Sequence, residues 1–178
     1  MPKFWISLLI TLLLVGCATS STPYQPPVKV RDTIVVNVAF ADLSNATRIN
    51  FQNGQRIADG NLDKWTTYCR LYVYNRNYTA DYVTSVKPGE FEIVAVKLRY
   101  DIVDTLDRPR VYASLFWRDY TPPSFYLYKV GMRLTSADQP DVHSLDCYRK
   151  WSTRGRYYPT LVEIRQALGD LVEIRSIP

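Results

Sequence analysis

Apolar and polar residues alternate along much of this chain, and the alternation predicts a mainly β protein. The clearest stretch is 66–75, in which one face would carry Cys69, Leu71 and Val73 and the other Tyr68, Arg70, Tyr72 and Tyr74. Side chains two positions apart on a strand share a face, so the first set suits a hydrophobic core. We therefore expect Cys69 to point inwards.

Comparable β-rich runs occur elsewhere, at residues 33–40, 86–101, 110–117, 124–136 and 141–151. In the second of these runs three apolar residues are expected to share the buried face: Val94, Val96 and Leu98. In the fourth, the shared apolar face would carry Tyr126, Tyr128, Val130, Met132 and Leu134. Each run is short enough to be a single strand.

Near the C-terminus the spacing of apolar residues changes from alternation to the three- and four-residue spacing of a helix. Thr160 and Glu163 have the spacing of a capping box, and Gly169 suits the position just beyond a helix end. Between them lies an apolar stripe at helical spacing, made of Leu161, Ile164, Ala167 and Leu168. Residues 171–177 favour one more strand.

These elements predict a mainly β fold of about six to eight antiparallel strands, a sandwich or an open barrel, with one short C-terminal helix. The pattern does not favour a parallel α/β fold, because the gaps between strands are too short for crossover helices. Residues 32–178 are enough for one domain with an ordinary core, and we expect a single β-rich domain there.

The N-terminus has a different character. Residues 4–15 form an apolar run whose only polar members are Ser7 and Thr11, and Lys3 precedes it. A membrane-spanning helix needs about 20 apolar residues, so this run is too short, but it has the length of a signal-peptide core. The alternative, a buried helix, lacks an amphipathic period, and a Ser/Thr/Pro-rich stretch follows directly.

The end of that run, Leu14-Val15-Gly16-Cys17, resembles the lipobox of bacterial lipoproteins. The resemblance covers residues 1–17 and implies cleavage before Cys17, acyl chains on its thiol and acylation of the new amine. Ala18 at the next position implies export to the outer membrane. The resemblance thus implies a signal peptide at 1–16, a lipidated tether at 17–31 and a lipid-anchored domain that faces the periplasm.

Two cysteines remain besides Cys17. Cys69 and Cys147 form an even pair in a chain that the lipobox marks as exported, which favours one disulfide bond. Such a bond would close a loop for which chain entropy gives a stabilisation of roughly 4.5 kcal/mol, as an upper guide. The alternative is two separate buried thiols.

Charge and motifs exclude several classes of function. Without Lys3 the 22 basic residues become 21 against 17 acidic ones, a net charge of +4, which is ordinary for a soluble domain and does not favour nucleic acid. No glycine loop for phosphate is present, and His143 is the only histidine, so neither a zinc site nor a catalytic triad is indicated. Asp101, Asp104 and Asp107 favour a solvated loop over a calcium site. We expect no cofactor, no metal and no enzyme activity.

The stretch 147–159 carries the strongest binding pattern, because cationic and aromatic side chains alternate in it. Guanidinium groups bind phosphate or carboxylate, and aromatic faces stack on sugars or carry interface contacts. The candidate ligand-binding residues for an anionic glycan or lipid headgroup are Arg149, Lys150, Trp151, Arg154 and Arg156. The plainer interpretation is a solvated connection between a strand and the helix.

The chain also contains 14 tyrosines. Tyr68, Tyr72 and Tyr74 form a row opposite Cys69, which is either an exposed face for envelope protein partners or a face covered by the helix or a second sheet. The first functional hypothesis is therefore a non-enzymatic accessory or scaffold lipoprotein. The second is a binding module for an anionic envelope ligand through residues 148–158, and the third and weakest is an envelope hydrolase.

Overall fold

The computed structural model describes residues 24–41, 48–73, 85–103 and 125–177. Within these ranges 52% of the residues lie in strands, and all eight strands belong to one antiparallel sheet curled into a half-barrel, which confirms the predicted mainly β fold in its open-barrel form. The strands are β1 (Thr33–Val36), β2 (Arg48–Gln52), β3 (Gln55–Ile57), β4 (Tyr68–Val73), β5 (Gly89–Val103), β6 (Phe125–Thr135), β7 (Val142–Trp151) and β8 (Val172–Arg175).

Their order across the sheet is β3-β2-β4-β7-β6-β5-β1-β8. The predicted helix, α1 (Leu161–Leu168), packs on one face of this sheet and buries Ile164, Ala167 and Leu168 there. We call this the helix side and the other the outer side. In the described ranges no helix has both the length and the apolar character needed to cross a membrane.

The core lies between α1 and the helix side of the sheet. Cys69, Leu71 and Val73 are all buried there, as the alternation predicts. Cys69 lies directly opposite Cys147 on the neighbouring strand, and their sulfurs form the predicted disulfide. The bond therefore joins two central strands from within the core.

Helix α1 begins and ends as its sequence predicts. The Thr160 hydroxyl accepts a hydrogen bond from the Glu163 amide at 3.3 Å, and the Glu163 carboxylate accepts one from the Thr160 amide at 2.8 Å, which completes the capping box. At the other end Gly169 has φ +58°, a conformation that glycine adopts without a Cβ penalty.

Two features of the strands differ from the sequence prediction. A β-bulge between Ile93 and Ala95 adds one residue to β5, so Val94 is 40% exposed and the prediction that it shares the buried face is wrong. The hairpin β2–β3 was not predicted, although Asn53-Gly54 at its turn, both with positive φ, is a strong hairpin signal. The predicted strand 110–117 lies outside the described residues, as do residues 1–23 with Cys17 and the lipobox.

The long strands β5 and β6 extend beyond the rest of the sheet. Strand β1 pairs with β5 only at Gly89–Glu92, whereas the β5–β6 ladder continues to the pair Val103 and Phe125. Strand β7 follows β6 as far as the pair Tyr126 and Trp151. This three-stranded end carries most of the side chains that the sequence marked as candidates for binding.

Candidate functional site

The helix side of the three-stranded end is lined with aromatic rings grouped around Tyr128. Tyr128 is fully buried, and its ring centroid lies 5.3–6.3 Å from four other tyrosine rings, those of Tyr100, Tyr126, Tyr157 and Tyr158. These distances are typical of offset and edge-to-face aromatic contacts, which fix ring positions. Tyr128 is therefore the base on which the outer rings rest.

The rings above Tyr128 remain partly open to solvent. Ile102 is 67% exposed and Tyr100 39%, and Trp151 and Tyr157 are each 37% exposed. We call the five residues of this patch the aromatic surface: Tyr100, Ile102, Tyr126, Trp151 and Tyr157. Partly exposed side chains of this size on a packed base form a preformed contact area rather than a core.

Tyr128 also fixes the connection that follows β7. Its hydroxyl donates to the Thr153 carbonyl at 3.0 Å and accepts from the Gly155 amide at 2.8 Å. A Cβ at Gly155 would lie 2.4 Å from Cε2 of Tyr157, so any side chain at this position would displace the Tyr157 ring. The connection thereby brings Tyr157 onto Trp151, with ring centroids 5.2 Å apart and planes inclined by 25°.

Alternation along β7 divides the basic candidates between the two sides of the sheet. Arg149 and Trp151 lie on the helix side, next to the aromatic surface. Lys150 points to the outer side, where its Nζ lies 4.0 Å from the ring centroid of Trp65 and 4.7 Å from that of Phe125. The structure therefore does not bring Lys150 together with the other predicted residues.

The three arginines of this stretch differ in how many contacts they make within the protein and in how exposed they are. Arg149 forms a 3.0 Å ion pair with Glu163 of α1, and its guanidinium lies 4.5 Å from the Trp151 ring centroid. Arg154 donates to the Tyr100 hydroxyl at 3.0 Å and remains exposed. Arg156 is exposed on the same connection. Arg154 and Arg156 are thus the cations most accessible to an anionic ligand beside the aromatic surface.

The predicted tyrosine row lies on the outer side and is largely covered by its own neighbours. Tyr68 is 3% exposed, because its ring stacks on Tyr148 at 5.1 Å and the Arg70 guanidinium lies 5.1 Å from its centroid. Burial raises the pKa of the Tyr68 hydroxyl. Tyr72 is half-buried and its hydroxyl lies 3.1 Å from that of Tyr148. Tyr74 lies outside the described residues.

A polar network next to this row ties β2 and β4 to the turn after β3. The Asp59 carboxylate accepts from Arg48 at 2.8 Å and from the Asn50 side chain at 2.8 Å, and Arg70 lies 3.9 Å away. The hydrogen bond from Arg48 is the main reason that the pKa of Asp59 lies below its ordinary value. These charges satisfy one another, so the network is structural.

Tyr100 and Ile102 were not predicted to belong to the aromatic surface. The signal was present, because the alternation that includes Val96 and Leu98 continues to both residues. Their exposure depends on the β5–β6 pair extending beyond its neighbours, which is a property of the whole sheet. The continuation of the pattern alone would have placed them in the core.

The described residues contain no group of three or more His, Cys, Asp or Glu side chains placed to hold a metal ion. The arrangement around Tyr128 offers aromatic contact area and two accessible guanidinium groups, which suit binding. Comparison with known proteins finds no matching family model, no matching curated protein and no matching solved structure.

Proposed function

We propose that this chain is an outer-membrane lipoprotein whose β domain is a non-enzymatic accessory or scaffold protein of the bacterial envelope. The proposed outer-membrane localisation is based on the resemblance of Leu14-Val15-Gly16-Cys17 to a lipobox after a short apolar run. The aromatic surface is the part of the domain that binds a partner protein. This surface is the single observation that carries the functional part of the proposal.

The composition of the aromatic surface supports a protein partner. Trp, Tyr and Arg dominate the energetically important residues of protein interfaces, and here a tryptophan and three tyrosines lie beside Arg149 and Arg154. Their rings rest on the buried Tyr128, so little side-chain freedom is lost on binding. A patch with these properties binds a partner at low entropic cost.

The tether adds a constraint on position. Tyr24 packs on Tyr158, with ring centroids 5.3 Å apart, and Tyr158 contacts Tyr128. Cys17 lies seven residues before Tyr24, which is a reach of about 25 Å at full extension. A lipid on Cys17 would therefore keep the aromatic surface close to the membrane, where a partner protein of the envelope would meet it.

Cross-linking followed by pull-down of the full-length protein from cells tests the partner proposal. We expect a partner at defined stoichiometry, and we expect Trp151→Ala and Tyr157→Ala to reduce its capture at least tenfold, the effect of losing a typical aromatic hot spot. The matched control is Trp65→Ala, because Trp65 is 57% exposed but lies away from the surface, against Lys150 and Phe125. Equal loss in all three variants would contradict a role of the aromatic surface.

Fatty-acid labelling tests the proposed lipidation and localisation separately from the partner surface. Cys17→Ser should take up no label and should leave the outer-membrane fraction, because a hydroxyl cannot replace the thiol as acyl acceptor. A Ser variant that is still labelled and still fractionates with the outer membrane would refute the lipoprotein proposal while leaving the partner surface open to test.

A second candidate is a module for an anionic glycan or lipid headgroup. It is favoured by the same tether reach together with the exposure of Arg154 and Arg156 beside Trp151. Binding of the Cys17→Ser chain to vesicles of anionic phospholipid should then weaken steeply with salt. Arg154→Gln with Arg156→Gln should remove most of it, whereas Arg133→Gln, an exposed cation of the outer side, should not. Equal binding by all variants would exclude this candidate.

A further inference from the structure

Beyond the end of β1, one edge of strand β5 has no partner strand among the described residues. Within the described part of the chain, the last backbone hydrogen bonds on that side are those of Ile93 with Arg31 and Asp32, at 2.8 and 2.9 Å. From Val94 to Val103 no strand among the described residues pairs with this edge, although β6 pairs with the opposite edge as far as Val103. Unpaired backbone amides and carbonyls along an edge are a template for another strand.

The side chains of this edge follow a regular pattern. On the outer side it carries three exposed charges, those of Lys97, Arg99 and Asp101. On the helix side it carries Leu98, Tyr100 and Ile102, of which the last is the most exposed apolar residue of the strand. The edge thus offers charge complementarity on one side and apolar contact on the other.

This pattern is self-complementary in a single antiparallel register. Two copies related by a two-fold axis perpendicular to the sheet keep their faces aligned, so like sides meet. With Tyr100 on the axis, Arg99 of each copy lies opposite Asp101 of the other, and Leu98 lies opposite Ile102. Opposite charges in such cross-strand positions are favourable, and like charges are unfavourable.

Three neighbouring registers bring like charges together, and the register centred on Ile102 pairs no two charges of β5 with each other. With Arg99 on the axis, the two Arg99 side chains oppose each other, and with Asp101 on the axis the two carboxylates do. With Leu98 on the axis, Lys97 opposes Arg99 twice. Only the register centred on Tyr100 has two opposite-charge pairs and no like-charge pair.

We infer that two copies of this chain associate through antiparallel pairing of their β5 edges, with Tyr100 on the two-fold axis. The pairing extends the sheet of each copy into that of the other and covers the backbone groups from about Lys97 to Val103. It needs neither the acyl chains nor a partner on the aromatic surface.

Cysteine cross-linking of the full-length protein tests the register. Directly opposed Cα atoms are about 4.5–5.5 Å apart, within disulfide range, so Tyr100→Cys should give a covalent dimer under oxidising conditions. Leu98→Cys is the matched control, because its copies would lie about 14 Å apart and should not cross-link. Leu98→Cys mixed with Ile102→Cys should cross-link. If the Tyr100→Cys variant cross-links no more than the Leu98→Cys variant, the inference is wrong.

A charge exchange tests the same register without new disulfides. Arg99→Asp and Asp101→Arg should each raise the dimer dissociation constant about tenfold or more, because each turns two attractive pairs into repulsive ones. The double exchange should restore it. Sedimentation equilibrium in mild detergent measures this, and a monomeric wild-type chain, or a double variant as weak as the singles, would overturn the inference.

The outcomes separate this inference from the proposed function. Partner capture that depends on Trp151 in a monomeric chain would overturn the edge pairing alone. A Tyr100-centred dimer without any captured partner would overturn the scaffold proposal alone.

Discussion

Arg149 of β7 and Glu163 of α1 form a 3.0 Å ion pair that joins the aromatic end of the sheet to the first turn of the helix. The same carboxylate accepts hydrogen bonds from the Thr160 amide and hydroxyl, at 2.8 and 2.9 Å. One acidic side chain therefore closes the capping box and holds the arginine beside Trp151. Arg149, which the sequence marks as a ligand-binding candidate, has a structural partner.

Replacing Glu163 should therefore destabilise the fold. Glu163→Ala removes the reciprocal half of the capping box and leaves Arg149 without its partner, which should cost about 1–2 kcal/mol in the free energy of unfolding. Glu173→Ala is the control, because its pair with Arg175 is about half exposed and should contribute much less to stability than Glu163 does. Urea denaturation measures both, and equal losses would show that the cap contributes nothing.

The disulfide between Cys69 and Cys147 should be a major source of stability. It links residues 78 positions apart, and Cys69→Ser should lower the free energy of unfolding by a few kcal/mol, with about 4.5 kcal/mol as the upper guide. A thiol-reactive mass tag under denaturing, non-reducing conditions should add nothing to either cysteine. Two tags per chain would mean that the bond does not form in the isolated protein.

Local signals in the sequence were sufficient to predict the helix and the buried faces of the central strands. The boundaries of α1 follow from Thr160, Glu163 and Gly169, which act within one turn. The buried face of β4 follows from alternation, because one side of that strand faces the core along its whole length. The pairing of Cys69 with Cys147 followed from their number and the inferred compartment.

Other features depend on contacts that are distant in sequence. The bulge at Val94 changes which residues of β5 face the core, and nothing near Val94 announces it. The position of β7 between β4 and β6 is what covers Tyr68 with Tyr148. The split between Arg149 and Lys150 follows from alternation along the predicted run 141–151, which is strand as far as Trp151, so the interpretation of 147–159 as a solvated connection applies only to the residues after Trp151.

The turn of the β2–β3 hairpin docks closely on the end of α1. The Gly54 amide donates to the Ala167 carbonyl at 3.1 Å, and a Cβ on Gly169 would lie 2.4 Å from the Gly54 Cα. We expect Gly169→Ala to cost about 2 kcal/mol or more, because it adds this backbone clash to a positive φ. Gly60→Ala, where nothing lies within 4 Å of the added Cβ, should be nearly neutral. Thermal unfolding of both variants checks the contrast.

The buried tyrosine pair of the outer side should make the fold sensitive to alkali. Burial is the main reason that the pKa values of Tyr68 and Tyr148 are raised. A raised pKa in the folded state stabilises the fold below the unfolded value of about 10, and this stabilisation is lost as pH rises above it. The free energy of unfolding should thus fall above about pH 10, and less steeply in Tyr148→Phe. Equal slopes would contradict the assignment.

The Arg48–Asp59 pair should make stability depend on pH at the acidic end. The hydrogen bond from Arg48 lowers the pKa of Asp59, so the folded state releases this proton more readily than the unfolded state. The resulting stabilisation is complete above the unfolded pKa of about 3.9 and is lost as pH falls through the folded pKa. Because the Asp59 side chain is 50% exposed, this stabilisation should amount to about 1 kcal/mol or less.

Urea denaturation between pH 7 and pH 3 at low salt measures this contribution. Asp59→Asn and Arg48→Gln should each flatten the acidic limb of the stability profile, because the first removes the titrating group and the second removes the charge that lowers its pKa. The double variant should lose little more than either single variant, since both act on one interaction. Added salt should reduce the difference from the wild-type chain. If the wild-type and Asp59→Asn profiles run parallel at low salt, the Asp59 carboxylate contributes nothing to the acidic limb, and the assignment is wrong.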